Sequence, residues 1–204
     1  SSNYAATATF RREAALLGRL RHPNIMALLG HCIGAGIERP CLVCEFMEGA
    51  SLKDRLALTE SQAALTWRER HAIASDVARG LTFLHTVADP PVLHKDVKPA
   101  NILLGTAPVA ASGSVADNGV RIVAKLADFG VSRVVSSVVP VRRSSKLRLT
   151  PAWAAPELFG DKDVTAAVDC WSLGATIHAA STGSPPVVLE KTAAQTLVKV
   201  ESGE

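Results

Sequence analysis

An α+β fold is predicted from three features of the chain. Two apolar stretches, Ile25 to Leu29 and Cys41 to Phe46, flank a turn-rich segment containing Gly34 and Gly36, and two antiparallel strands are the simplest account of them. Thr66 to His85 carries Trp67, Ile73, Val77, Leu81 and Leu84 on one side and Arg68, Glu69, Arg70, Asp76 and Arg79 largely on the other, the pattern of a long amphipathic helix. Between that helix and a strand-like Ile102-Leu103-Leu104 lies His94-Lys95-Asp96-Val97-Lys98-Pro99-Ala100-Asn101, where Pro99 restricts the backbone and predicts a shaped loop.

Composition bounds the classes of function. The chain has 204 residues, 48% hydrophobic and 20% charged, enough to bury a core. Its net charge of +3, from 22 basic and 19 acidic residues, gives no reason to expect nucleic acid or an anionic membrane as the main partner. No apolar run approaches the roughly 18 to 20 residues that span a bilayer, and Ser1-Ser2-Asn3-Tyr4 has no signal-peptide character, so an intracellular, cytoplasmic protein is expected. Cys41 and Cys44 form a C-x-x-C with His31 and Cys32 nearby. Residues i and i+3 of an extended segment point to opposite faces, so buried free thiols are expected rather than a metal or redox site.

The loop around Asp96 has the chemistry of phosphoryl transfer. It offers a carboxylate to orient a hydroxyl, a lysine two residues on, an amide five residues on and, downstream at Asp128-Phe129-Gly130, a second carboxylate. Such a reaction needs a positioned nucleophile, metal ions held by oxygen ligands and cations that absorb developing charge. At these residues the chain resembles the protein kinase family, whose H-R-D-x-x-x-x-N and D-F-G motifs it matches with Lys95 in place of arginine. The resemblance extends to Ala155-Pro156-Glu157 for A-P-E and to Asp169-Cys170-Trp171-Ser172-Leu173-Gly174 for D-x-W-S-x-G. Four ordered motifs with this spacing are specific, where one triplet would not be.

That resemblance implies roles along the chain. Residues 5–20, with Phe10, Leu16, Leu17 and Leu20 near helical spacing and ended by His22-Pro23-Asn24, are similar to the family's αC helix. Glu13 would then be the acid that pairs with a strand lysine, its alternative being a solvated helix charge, and Leu17 would join the hydrophobic spine. Glu45 and Met47 would offer backbone groups to adenine, with Cys44 as gatekeeper and Leu103 under the base. Ser51 and Asp54 would reach the ribose, although Ser51 reads equally as a helix N-cap. The helix from Thr66 is similar to the family's αE; His71 and His85 read as surface or packing residues. His94 would pack under Phe129.

Asp96 would orient the acceptor hydroxyl, Lys98 would steady the transferring phosphate, and Asn101 and Asp128 would hold Mg2+ against ATP. Asp128 to Glu157 is similar to an activation segment. Phosphate on Ser144 or Ser145 would pair with nearby cations including Lys95, the alternative being an unmodified basic loop. Thr150-Pro151-Ala152-Trp153 resembles a substrate-docking segment, with Leu149 in place of glycine. Asp169 would tie down the loop around Asp96 from the family's αF helix, and Trp171 would pack beneath the docking segment. Lys98 together with Thr150-Pro151 implies serine or threonine acceptors on protein substrates, closest to the tyrosine-kinase-like group.

Between Leu104 and Asp128 stand 23 residues rich in Gly, Pro and small side chains, predicting a flexible insertion at about 105–119, with a strand resuming from Val120 to Leu126. No G-x-G-x-x-G and no V-A-I-K strand precede Phe10. The expected organisation is therefore a partial kinase domain: a remnant N-lobe at 1–46 (the family's αC with its fourth and fifth strands), a hinge at 47–54 and a mainly helical partial C-lobe at 55–204 ending after αF. Weak or absent turnover by these residues alone is expected, within a larger, membrane-attached or soluble protein. A pseudokinase-like scaffold is the alternative, disfavoured because a scaffold has no need of metal-ligand geometry at Asp96, Lys98, Asn101 and Asp128.

Overall fold

The structure is a computed structural model, and it describes residues 10–11, 14–33, 40–58, 64–108, 120–129, 132–134, 150–159 and 163–184. Glu13, Gly130, Ser144, Ser145 and Leu149 lie outside the described residues.

Helix α1 covers residues 14–19 and buries Ala14 and Leu17, followed by buried Leu20. Strands β1 (Leu28–Cys32) and β2 (Cys41–Cys44) pair antiparallel. The first begins three residues later than its apolar run, because Ile25 is taken up in a parallel bridge to Leu126 and Met26 N–H donates to Leu126 O at 2.8 Å. Next comes the short helix α2 (Leu52–Leu56).

Helix α3 (Trp67–Thr82) starts where Thr66 and Glu69 close a capping box: Thr66 Oγ1 accepts from Glu69 N–H at 3.2 Å and Glu69 Oε2 accepts from Thr66 N–H at 2.7 Å. It runs on through a wider π turn at Phe83–Val87. Ile73, Val77, Leu81 and Leu84 are buried as their spacing predicts, and they join Leu17, Ile25, Ile102 and Leu126 in the main core. Trp67 does not join them: it stands exposed beside the Arg70 guanidinium, 5.6 Å from the ring centroid.

Strand β3 (Val92–Leu93) pairs with β6 (Arg133–Val134), and β4 (Ile102–Pro108) with β5 (Val120–Leu126), both antiparallel. The β4–β5 register runs from Ile102↔Leu126 to Pro108↔Val120, so residues 105–108 are strand and not insertion. Their ladder with β5, reinforced by Glu48 Oε1 accepting from Thr106 N–H at 2.9 Å and Oγ1–H at 2.6 Å, overrides the small-residue composition.

Helix α4 (Ala167–Thr182) ends at Gly183, whose φ of 79° is the left-handed conformation that stops a helix and that glycine adopts without strain. With Leu93, Ala154, Ala155 and Leu158 its residue Val168 forms a second apolar cluster.

Asp76, expected on the polar face of α3, is fully buried. One carboxylate oxygen accepts from Ala124 N–H at 2.8 Å and the other pairs with Arg79, while Asn24 Nδ2–H donates to Ala124 O at 2.9 Å. Together they satisfy the edge of β5 that β4 leaves open, which an apolar residue could not do. The thiols also differ from expectation. Cys32 and Cys41 are exposed, because they lie with Val43 on the outward face of the β1–β2 hairpin, while Cys44 is half-buried against the core; Cys170 on α4 is exposed as well.

Candidate active site

The loop around Asp96 is held from below by one carboxylate. Asp169 is fully buried near the start of α4; its Oδ2 accepts from His94 N–H at 2.9 Å and its Oδ1 from Lys95 N–H at 2.7 Å. His85 Nε2 donates to the same Oδ2 at 2.8 Å, so this histidine orients the anchor rather than merely packing. The grip holds Lys95 at φ 70°, a left-handed backbone that costs a non-glycine residue about 1–2 kcal/mol. Lys95 itself is buried.

His94 is fully buried, its ring 4.8 Å from that of Phe129 at an edge-to-face angle of 61°, with Nε2 donating to Ala127 O at 3.2 Å. Burial holds its pKa below 6.5 against the opposing pull of Asp169, Asp96 and Asp128, so it packs as a neutral ring. Ala127 N–H donates to Asn101 O at 2.9 Å. These contacts bring Asp128, at φ 63°, beside the Asp96 loop.

Asp96 is the centre of a dense cluster. Lys98 Nζ donates to its Oδ2 at 2.6 Å, Asn101 Nδ2–H to Oδ2 and to the backbone O at 2.9 Å each, and Thr150 Oγ1–H to Oδ1 at 2.9 Å. Lys98 Nζ also donates to Thr150 Oγ1 at 2.8 Å. A hydroxyl placed here thus gives its proton towards a carboxylate while an ammonium lies against its oxygen. Asn101 sits at the end of a 3-10 turn, Pro99–Asn101, that proline starts.

The segment after β2 is pinned to β4. Gly49 N–H donates to Leu104 O and Leu104 N–H to Ala50 O, both at 2.9 Å, and Ser51 bridges to Leu103. A Cβ on Gly49 would lie 2.8 Å from Leu104 O, so this crossing requires glycine. Glu45 spends its N–H on Ala27 O at 3.1 Å and its carboxylate on Ala27 N–H at 2.7 Å and on Lys125 Nζ at 2.7 Å. Ser51 is a helix cap in the structure: its Oγ accepts from Asp54 N–H, and Asp54 Oδ2 accepts from Ser51 N–H and Oγ–H at 3.2 and 2.6 Å.

Thr150 leads into a turn at Pro151–Trp153, and Glu157, half-buried, sits in another at Pro156–Leu158. Trp171 is 42% exposed. The next residue, Ser172, reaches the segment directly: its Oγ lies 2.7 Å from Trp153 O and 2.9 Å from Val168 O.

A family model described as the protein kinase domain matches residues 1–202. The chain belongs to the protein kinase family. It is 35% identical over 182 residues to U-box domain-containing protein 70 of rice, covering 87% of this chain and 20% of that protein. It is 40% identical over 177 residues to the leucine-rich repeat receptor protein kinase MSL1 of rice, with 87% and 11% covered. To the serine/threonine-protein kinase pelle of the fly it is 35% identical over 175 residues, with 84% and 32% covered. The chain therefore spans well under two thirds of the length of these relatives.

Within this kinase chain, the structure brings Asp96, Lys98, Asn101, Thr150, His94, Phe129, Asp128 and Asp169 into one neighbourhood, with Glu45 to Leu103 along another side. The sequence reading missed Asp76, His85, Lys125 and Ser172. Each acts through a partner distant in the chain, and only Ser172, inside the D-x-W-S-x-G match, is marked by a local pattern.

Proposed function

We propose that this chain is the phosphoryl-transfer part of a protein serine/threonine kinase, taking the γ-phosphoryl group of ATP to hydroxyls of protein substrates. The observation that carries the reading is the Thr150 hydroxyl, held between Asp96 Oδ1 at 2.9 Å and Lys98 Nζ at 2.8 Å, the surroundings an acceptor hydroxyl needs. Asp96 orients that hydroxyl and draws its proton. Lys98, already 2.6 Å from Asp96, spreads positive charge towards the transferring oxygens.

The donor set suits Mg2+. Asn101 spends Nδ2 on Asp96, which leaves its carbonyl Oδ1 for a cation, and Asp128 adds a carboxylate. Mg2+ takes few protein oxygens and completes its shell with phosphate and water, and when bound it neutralises the charge on the phosphates. Asn101 and Asp128 would hold it. For the nucleotide, Glu45 has its carbonyl to offer and Met47 its backbone, with Leu103 beneath the base and one Asp54 oxygen for the ribose. We take residues 47–54 as the hinge between a small lobe at 1–46 and a larger one at 55–204.

Acceptor peptide would lie along the open groove beside Lys98, lined by Lys53, Leu56, Ala100, Thr150, Trp153 and Ala179. No described helix is long and apolar enough to cross a membrane. We place the domain on the cytoplasmic side, where ATP is available.

Asp96→Asn in the full-length protein tests the assignment. Transfer of labelled γ-phosphate to a peptide library should fall about 10²–10⁴-fold, mainly in kcat, with an unchanged urea midpoint. Undiminished transfer would refute the role of Asp96 and favour a scaffold.

A further inference from the structure

We propose that Cys32 and Cys41 form an oxidative modification site, a dithiol that closes reversibly into a cross-strand disulfide at the loop end of the β1–β2 hairpin. The inference is independent of phosphoryl transfer. It rests on register: Cys32 and Cys41 are direct antiparallel partners. Opposed residues in such a ladder have Cα atoms about 4.5 or 5.5 Å apart, according to their hydrogen-bond class, and a disulfide spans about 4.4–6.8 Å, so either class suits the bond. Side chains at opposed positions leave the sheet on the same face.

The two thiols are neighbours across the ladder. A hydrogen bond from one to the other, with their mutual repulsion as thiolates, pushes the Cys32 thiol above its usual range. Both residues are exposed, so a small oxidant reaches them without opening the core. The alternative partner within the C-x-x-C is on the wrong side: along β2 exposure alternates, with Cys41 and Val43 outward and Leu42 and Cys44 inward. Cys170 stands on α4, outside this hairpin.

The oxidant is a low-molecular-weight disulfide such as oxidised glutathione. One thiolate attacks a sulfur of that disulfide, forming a mixed disulfide and releasing one glutathione thiolate. The neighbouring thiolate then attacks the protein sulfur of the mixed disulfide, forms the Cys32–Cys41 bond and releases the second glutathione. The cysteine pair gives up two electrons, and its two protons end on the released thiols. The second step is intramolecular, because the register places the two side chains opposite each other.

The test uses the purified full-length protein incubated with oxidised glutathione, alkylated and cleaved after glutamate without reductant. Cleavage at Glu38 separates Cys32 from Cys41, while Cys41 and Cys44 stay together up to Glu45. The expected product is one linked peptide pair, lighter by two hydrogens, with two thiols lost from this domain and both restored by dithiothreitol. Cys32→Ser and Cys41→Ser should each abolish the link and leave glutathione on the remaining cysteine, and Cys170→Ser should leave it intact. Stable glutathione on both cysteines without a link, a bond inside the Cys41–Cys44 peptide, or links only between chains would each overturn the proposal.

Discussion

Replacing Asp169 by alanine removes the one acceptor on which three donors converge. His94 N–H and Lys95 N–H, at 2.9 and 2.7 Å, would be left buried without a partner, and the His85 ring, at 2.8 Å, would lose its orientation. A stranded buried donor costs about 1–3 kcal/mol, so the two amides alone cost roughly 2–6 kcal/mol. Relaxation of Lys95 out of its left-handed backbone returns about 1 kcal/mol, for a net loss of about 1–5 kcal/mol. Against a domain stability of about 5–15 kcal/mol that is a large fraction. Urea unfolding at 25 °C should show the midpoint fall at constant slope, and Asp169→Asn, which keeps one acceptor oxygen and turns an NH2 towards the other donors, should fall between. An alanine variant within about 0.5 kcal/mol of the parent would refute the accounting, since surface changes of no structural consequence lie in that range.

Gly80→Ala should destabilise by about 1–3 kcal/mol, although alanine is ordinarily the better helix former, because its Cβ would stand 2.9 Å from Asn24 O and 3.2 Å from Leu126 Cδ1; a raised melting temperature would contradict the packing. Glu45→Gln and Lys125→Met, taken singly and together, should show a coupling of about 1 kcal/mol for a half-buried pair 2.7 Å apart, and additive effects would dissolve the link between the Glu45 segment and β5. Burial holds both His94 and His22 below 6.5, so the unfolded chain binds more protons as pH drops beneath that value. Stability should therefore be full above about pH 6.5 and decline below it, with a shallower decline in His94→Phe; urea midpoints unchanged between pH 7.5 and 5.5 would argue against this. Glu48 and Asp54, held below the usual carboxylate range by hydrogen bonds to Thr106 and Ser51, should add their loss only at more acidic pH.

Much of the site was legible because its chemistry is local. Asp96, Lys98 and Asn101 lie within six residues, with Pro99 shaping the backbone between them, and the structure keeps all three in mutual contact. Ser51 was ambiguous for a physical reason: a hydroxyl before a short helix can cap it or meet a ligand, and the capping box occupies it. The hydrogen bond from Ser172 to the Trp153 carbonyl could not be read from the motif, because it joins groups nineteen residues apart. The predicted insertion began too early because composition does not register a strand partner a dozen or more residues away, and Thr106 pairs with Ile122.

Amphipathic periodicity, caps and helix stops follow from neighbours within a turn or two. They were enough to set α3 between Thr66 and its π turn and to end α4 at Gly183. Long-range electrostatics is another matter. A buried carboxylate is tolerable only where donors meet it, and the donors for Asp76 and Asp169 come from β5 and from the His94–Lys95 backbone. Periodicity marks Asp76 as a surface charge; folding makes it an edge cap. Likewise the C-x-x-C spacing sets Cys41 and Cys44 on opposite faces without naming a partner for either, and antiparallel register then sets Cys41 against Cys32. Registry across a ladder is decided by which faces find a core, and that is known only once the chain has closed on itself.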